Sequence, residues 1–138
     1  MILPQPLAFL FSCLCLQALV WGADPPPQFT REGVVGQARA WTLFPGADMS
    51  IYGRFLGPPA GGCAASASGL YAKNLCDTEV LIGDKPAELL FVSEQQINFK
   101  VPLDAPPSDA AELRVVNRGQ SSMPRTMKIG PERTTVSV

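Results

Sequence analysis

Along several short stretches of the chain, hydrophobic and polar residues alternate with period two, and each stretch is bounded by Pro or Gly. Between Asp48 and Phe55, Met49, Ile51 and Phe55 fall on one side and Ser50, Tyr52 and Arg54 on the other, which predicts a half-buried strand ended by Gly57-Pro58-Pro59. Thr78 to Ile82 predicts a second strand, with Glu79 and Leu81 opposed to Val80 and Ile82. Gly83-Asp84 is then a two-residue turn of the kind that favours positive φ. Lys85 to Val92 returns as the partner strand, with Pro86 near its start, where a missing N–H is tolerated. Ile97, Phe99 and Val101 alternate with Asn98 and Lys100 until Pro102 stops the run, and Asp104 to Asp109 is a Pro-rich loop. Leu113 to Val116 pairs with Ser122 to Ile129 across the hairpin signal Asn117-Arg118-Gly119, and Ala40 to Phe44 adds an apolar strand before Pro45-Gly46. The punctuation leaves no window for an uninterrupted amphipathic helix of three turns. About seven strands in roughly 100 residues match an immunoglobulin-like β-sandwich, so the expected fold is all-β. Trp41 precedes both later cysteines, so the Cys…Trp…Cys order of antibody domains is missing.

The N-terminus has a different pattern. Leu7 to Val20 is uncharged and apolar, too short to span a bilayer core comfortably and suited to the hydrophobic region of a secretory signal peptide. Small Gly22 and Ala23 follow, and cleavage after Gly22 leaves a mature chain that opens on Asp24 and Pro25-Pro26-Pro27. Met1 to Pro6 carries no Lys or Arg, which departs from the usual signal and keeps a retained membrane anchor as the alternative. The expected organisation is a signal helix over 1–22, a Pro-rich lead-in over 23–38, one domain over 39–130 and a tail over 131–138. The expected location is secreted, periplasmic or cell-envelope, with membrane contact only if the signal segment is retained.

Composition narrows the chemistry. The chain has 138 residues and no His, which removes Ser-His-Asp, Cys-His and His-metal sites together. Eleven basic residues against twelve acidic ones predict no nucleic-acid surface. Of the four Cys, Cys13 and Cys15 leave with the signal, and Cys63 and Cys76 remain. An even pair in an oxidising compartment reads as a disulfide, with a chain-entropy contribution of about 3 kcal/mol for so short a loop. That spacing is too close for the inter-sheet bridge of antibody domains. The pair is expected to pin the Ala60–Gly69 loop to the start of the next strand.

The motifs resemble known ones. Pro45 to Gly57, with Tyr52-Gly53-Arg54-Phe55-Leu56-Gly57 at its end, resembles the opening of IPT/TIG immunoglobulin-like domains. Val80 to Pro102, with Gly83-Asp84-Lys85-Pro86-Ala87 and Gln96-Ile97-Asn98-Phe99-Lys100-Val101-Pro102, is similar to the Solibacter-type C-terminal domain of secreted acidobacterial proteins, a bacterial family. Glu88 and Glu94-Gln95 depart from that pattern. The resemblance implies an immunoglobulin-like sandwich and a secreted location, and it carries over no catalytic residue.

Gln95, Gln96 and Asn98 are the most distinctive polar cluster. With Tyr52 they form a candidate ligand edge, where amides meet sugar hydroxyls and an aromatic ring stacks beneath; amides that serve turn and edge backbone explain the same residues structurally. Asp77 and Glu79, expected on one strand face, give the alternative of a small glycan hydrolase. With Asp84 they form no Ca²⁺-binding run. Trp41 and Phe44 are expected in the core, and Arg114, Arg118, Arg125, Lys128 and Arg133 on a solvated face. Ser66, Ser68 and Ser93 have no base arranged beside them. No catalytic residue, metal or cofactor is assigned. The expected function is a secreted, non-enzymatic binding or structural module that contacts an extracellular or envelope protein or a polysaccharide. The alternatives are the hydrolase and an inert stabilising domain.

Overall fold

The computed structural model describes residues 25–36, 41–59, 61–65 and 72–131. The expected signal helix and cleavage site, much of the Ala60–Gly69 loop and all of the tail beyond Pro131 lie outside them. Within the described residues the strands are β1 (Gln28–Gly36), β2 (Thr42–Leu43), β3 (Asp48–Arg54), β4 (Gly62–Ala64), β5 (Thr78–Ile82), β6 (Lys85–Pro86), β7 (Glu88–Ser93), β8 (Gln96–Lys100), β9 (Ser108–Asn117), β10 (Gln120–Ser121) and β11 (Arg125–Ile129). No helix occurs among them.

One sheet has the order β1-β3-β8-β7-β4; the other has β2-β11-β9-β5-β6, with β10 paired to β9. The four neighbours β1, β3, β8 and β7 reproduce the A-B-E-D sheet of an immunoglobulin domain, and β11, β9, β5 and β6 reproduce G-F-C-C′. After β1 the chain crosses to the second sheet, where β2 runs parallel to β11. All other strand pairs are antiparallel. This strand order makes the chain an immunoglobulin-like sandwich.

The core lies where the inward faces meet. Ile51, Val80, Leu89, Val92, Ile97, Phe99, Leu113 and Val115 are fully buried, and Ile51, Val80, Ile97 and Phe99 sit on the predicted apolar side of their strands. Apolar burial of this kind is the main favourable term in folding. Among the described residues Thr78 and Ser122 are the buried polar side chains, and Thr78 is the deeper. Its hydroxyl lies within hydrogen-bond reach of the Leu56 and Cys76 carbonyls and Asn117 Oδ1, at 3.2–3.4 Å. A buried hydroxyl needs such partners.

Four expectations change. The stretch 23–38 is more than a lead-in, because β1 occupies Gln28–Gly36 and buries Phe29 and Val34. Its register jumps from Phe29↔Gly53 to Val34↔Ile51, so Thr30 to Gly33 bulge outward and hide the period-two signal. Phe55 leaves the inward row, since its φ of 58° turns the chain and sends Leu56 into the core instead. Lys85 to Val92 is not one partner strand: β6 pairs with β5 for two residues, the Ala87 N–H donates to the Val80 carbonyl, and β7 then joins the other sheet. Trp41 is not core; it is exposed, with the Arg31 guanidinium 4.8 Å from its ring centroid.

Candidate functional site

The outward face of the first sheet gathers three of the four candidate ligand residues. In the β3–β8 pairing Ser50 lies opposite Asn98, and Tyr52 opposite Gln96. Ser50 Oγ donates to Asn98 Oδ1 at 2.8 Å, and Gln96 Nε2 donates to the same oxygen at 2.9 Å. The Gln96 N–H donates to Ser93 Oγ at 3.1 Å, which closes the turn between β7 and β8. Asn98 Oδ1 therefore already accepts two donors and is held for structure. Gln95 stands apart from this row; it is exposed at the turn, and its carbonyl accepts from the Gly53 N–H at 3.1 Å. Tyr52, 48% exposed, is the aromatic member of the four and presents its ring on the outward face.

Tyr52 also borders a groove of about 520 Å³ at the end of the sandwich where β1 begins and β3 ends. Pro26, Pro27, Phe29 and Met123 line it on the apolar side, and Arg54 and Arg125 supply charge. Gly53 is required at its floor, because a Cβ there would overlap the Gln28 carbonyl oxygen. Met123 is 70% exposed on the link between β10 and β11, where Ser122 turns inward and accepts from the Val115 N–H at 3.0 Å. The Arg125 Nε–H donates to the Phe29 carbonyl at 2.9 Å and caps the edge of β1. The sequence reading missed Arg54, Met123 and the role of Arg125. The alternation of β3 signalled that Arg54 faces outward, but nothing local brought it to a segment some 70 positions on.

A smaller cleft of about 360 Å³ lies at the other end, lined by Lys73, Lys85, Glu88, Leu103 and Asp104 among others. Lys85 Nζ lies 3.1 Å from Asp104 Oδ2, and this hydrogen-bonded ion pair holds the Asp104 carboxyl below its ordinary value. A depressed carboxylate pKa stabilises the fold above the unfolded pKa, and that contribution is lost as pH falls through the folded value. Asp104 is open to solvent, so its share is that of a screened surface pair. We expect a Lys85→Ala variant to raise the Asp104 titration midpoint toward the free value, followed by the side-chain carboxyl carbon shift in NMR; an unchanged midpoint would show that Lys85 is not the cause.

The carboxylates proposed for hydrolysis do not share a strand face. Glu79 lies on β5 and accepts from Asn74 Nδ2 at 3.2 Å. Asp77 precedes the strand, exposed in a two-residue turn where Cys76 and Asp77 both take positive φ, 52° and 60°. Leu75 and Thr78 exchange both backbone hydrogen bonds across it, at 3.0 and 3.1 Å. Such mirror-image turns favour Gly, and a left-handed conformation costs an ordinary residue about 1–2 kcal/mol. Asp77→Gly is therefore expected to raise stability by about 0.5–1 kcal/mol, read as a higher urea midpoint; a lower midpoint would mean that the Asp77 side chain itself holds the turn. Asp84 lies at the opposite end, in the β5–β6 turn. Among the described residues no group of three His, Cys, Asp or Glu is placed to hold a metal ion.

Cys63 and Cys76 form the expected disulfide, with Cα atoms 6.4 Å apart and a sequence separation of 13. It pins the loop to the start of β5. Because β4 belongs to the first sheet and β5 to the second, it also ties the two sheets at one edge, a role the short spacing had argued against. Among the described residues the basic side chains are spread out: Arg114 lies on β9 opposite Leu81, Arg118 in a turn, Arg125 at the groove and Lys128 on β11 beside Thr42, while Arg133 lies outside the described residues. Ser66 and Ser68 lie outside the described residues. Ser93 is occupied in the turn before β8.

The chain matches no protein-family model. No curated protein sequence matches it. Among solved structures it is similar to the crystal structure of the Lin-41 filamin domain, at 13% identity over 77% of this chain and 98% of that one, with a TM-score of 0.36. At that score the likeness carries no weight for function, and the assignment of an immunoglobulin-like sandwich rests on the strand order.

Proposed function

We propose that this chain is a secreted, non-enzymatic immunoglobulin-like module of the cell envelope or extracellular space, and that it works by surface contact with a protein or polysaccharide. The uncharged segment Leu7–Val20 and the disulfide Cys63–Cys76 support export, since disulfides persist in oxidising compartments. The observation that carries the binding reading is the position of Tyr52. It stands half-exposed where the ordered Ser50–Asn98–Gln96 row meets the groove, on two paired strands that hold it in place. Binding groups on a rigid sandwich need little ordering when they engage a partner.

The free edges favour contact through faces and grooves over strand addition. β2 and β6 have two residues each, and β4 has three. β1, the long edge, is interrupted by its bulge and capped at Phe29 by Arg125. Such devices block pairing with another chain.

The test presents the mature protein and its Tyr52→Ala variant to fractionated envelope extract and to a panel of polysaccharides, with product release followed in parallel. We expect one component to be retained by the parent and lost by the variant, with no turnover. Retention unaffected by Tyr52→Ala would overturn the site. Glycan cleavage abolished by Glu79→Gln would replace this reading with the hydrolase.

A further inference from the structure

The groove beside Tyr52 carries an inference about ligand chemistry that rests on, and deepens, the binding reading above. Its two charged side chains, Arg54 and Arg125, are both cationic, and no carboxylate lies among its lining residues. The chain as a whole has one more acid than base, so a pocket with two guanidiniums and no acid departs from the surrounding surface. Neither arginine forms an ion pair among the described residues, whereas Lys85 and Lys100 each have an acidic partner. Arg125 spends one N–H on the Phe29 carbonyl, and a guanidinium has five such donors. Arg54 is exposed, 5.7 Å from the Phe55 ring centroid.

The remaining lining is mixed, with Gln28, Thr30, Tyr52 and Ser121 beside an apolar wall. Pro26, Pro27, Phe29 and Met123 form the walls, with Met123 offering an unbranched, adaptable side chain to solvent. Two guanidiniums with no acid beside them favour an anionic ligand over a neutral sugar, and the nearby Asn98 Oδ1 acceptor is already filled by Ser50 and Gln96. An extended peptide with carboxylates flanking an apolar side chain fits both features: the carboxylates meet planar guanidiniums, and the apolar side chain meets Met123 and the prolines.

We propose that this groove binds an acidic, partly apolar peptide segment of a partner protein. Arg54 and Arg125 receive its carboxylates, and Tyr52 and Met123 receive its apolar side chain.

The test is a titration of the full chain with a fluorescent Asp-Leu-Glu-Phe-Asp peptide. The neutral Asn-Leu-Gln-Phe-Asn peptide and polygalacturonate are run beside it. We expect saturable binding of the acidic peptide, about tenfold weaker for Arg54→Ala and for the neutral peptide, and weaker again at high salt. Arg54 and Met123 are exposed, so Arg54→Ala and Met123→Ala report on the groove with the fold intact. Equal binding of the two peptides, indifference to Arg54→Ala, or preference for polygalacturonate would overturn the proposal. If the peptide fails while Tyr52-dependent retention from extract persists, the ligand class is wrong and the binding reading stands. If both fail, the binding reading falls as well.

Discussion

Replacing Phe99 by Ala is expected to cost about 3–5 kcal/mol, a large part of the roughly 5–15 kcal/mol that holds a domain of this size. Phe99 is fully buried on β8, a central strand of the first sheet. Its neighbours across the ladder, Met49 on β3 and Leu89 on β7, point into the same core. The ring is therefore enclosed on both sides, and little can move in to fill the space it would leave. Tyr52→Ala on the adjacent strand is the matched control. It removes an aromatic ring of similar size from the outward face and should change stability by no more than about 0.5 kcal/mol. Urea unfolding of the two variants compares them directly. A costly Tyr52→Ala with a mild Phe99→Ala would mean that the sheet faces are reversed.

Loss of the disulfide is expected to have the next largest effect. Closing a loop with a sequence separation of 13 restricts the unfolded chain by about 3 kcal/mol in the chain-entropy model. For a domain near 100 residues each kcal/mol moves the melting temperature by about 4–8 °C, so Cys63→Ser should lower it by at least about 12 °C. Two structural features reinforce the effect. β4 is only three residues long, pairs with β7 alone and stands at the sheet edge. Cys76 sits at φ 52°, a conformation that a non-glycine residue holds only when its surroundings fix it. Reduction of the parent protein should reproduce the Cys63→Ser melting curve. A parent protein that melts at the same temperature with and without reductant would show that the bond contributes nothing.

The sequence made some parts of this fold legible and hid others, for physical reasons. β5 and the run through Ile97 and Phe99 were readable because each has one wet face and one dry face, and period two follows from that. The Arg118-Gly119 turn was readable because it carries Gly at φ 81°. The Cys76-Asp77 turn has the same geometry without Gly, so no local signal marks it, and the pattern alone puts Asp77 on a strand. Leu56 took the core position expected for Phe55 because one left-handed residue shifts the parity of everything after it. The switch of β7 to the other sheet depends on which strands are free to pair, and adjacent residues do not carry that information. At the candidate site, Tyr52, Gln96 and Asn98 could be found because they alternate with core residues. The groove could not, since Pro26, Arg54 and Met123 meet only through the closure of β1 against both β3 and β11.

Intact mass of the protein recovered from outside the cytoplasm tests export and the covalent tie together. The expected mass is that of the chain lacking residues 1–22 and two hydrogens, with no alkylation of Cys63 or Cys76 until reductant is added. A full-length chain retained inside the cell, with both thiols open to alkylation, would contradict it.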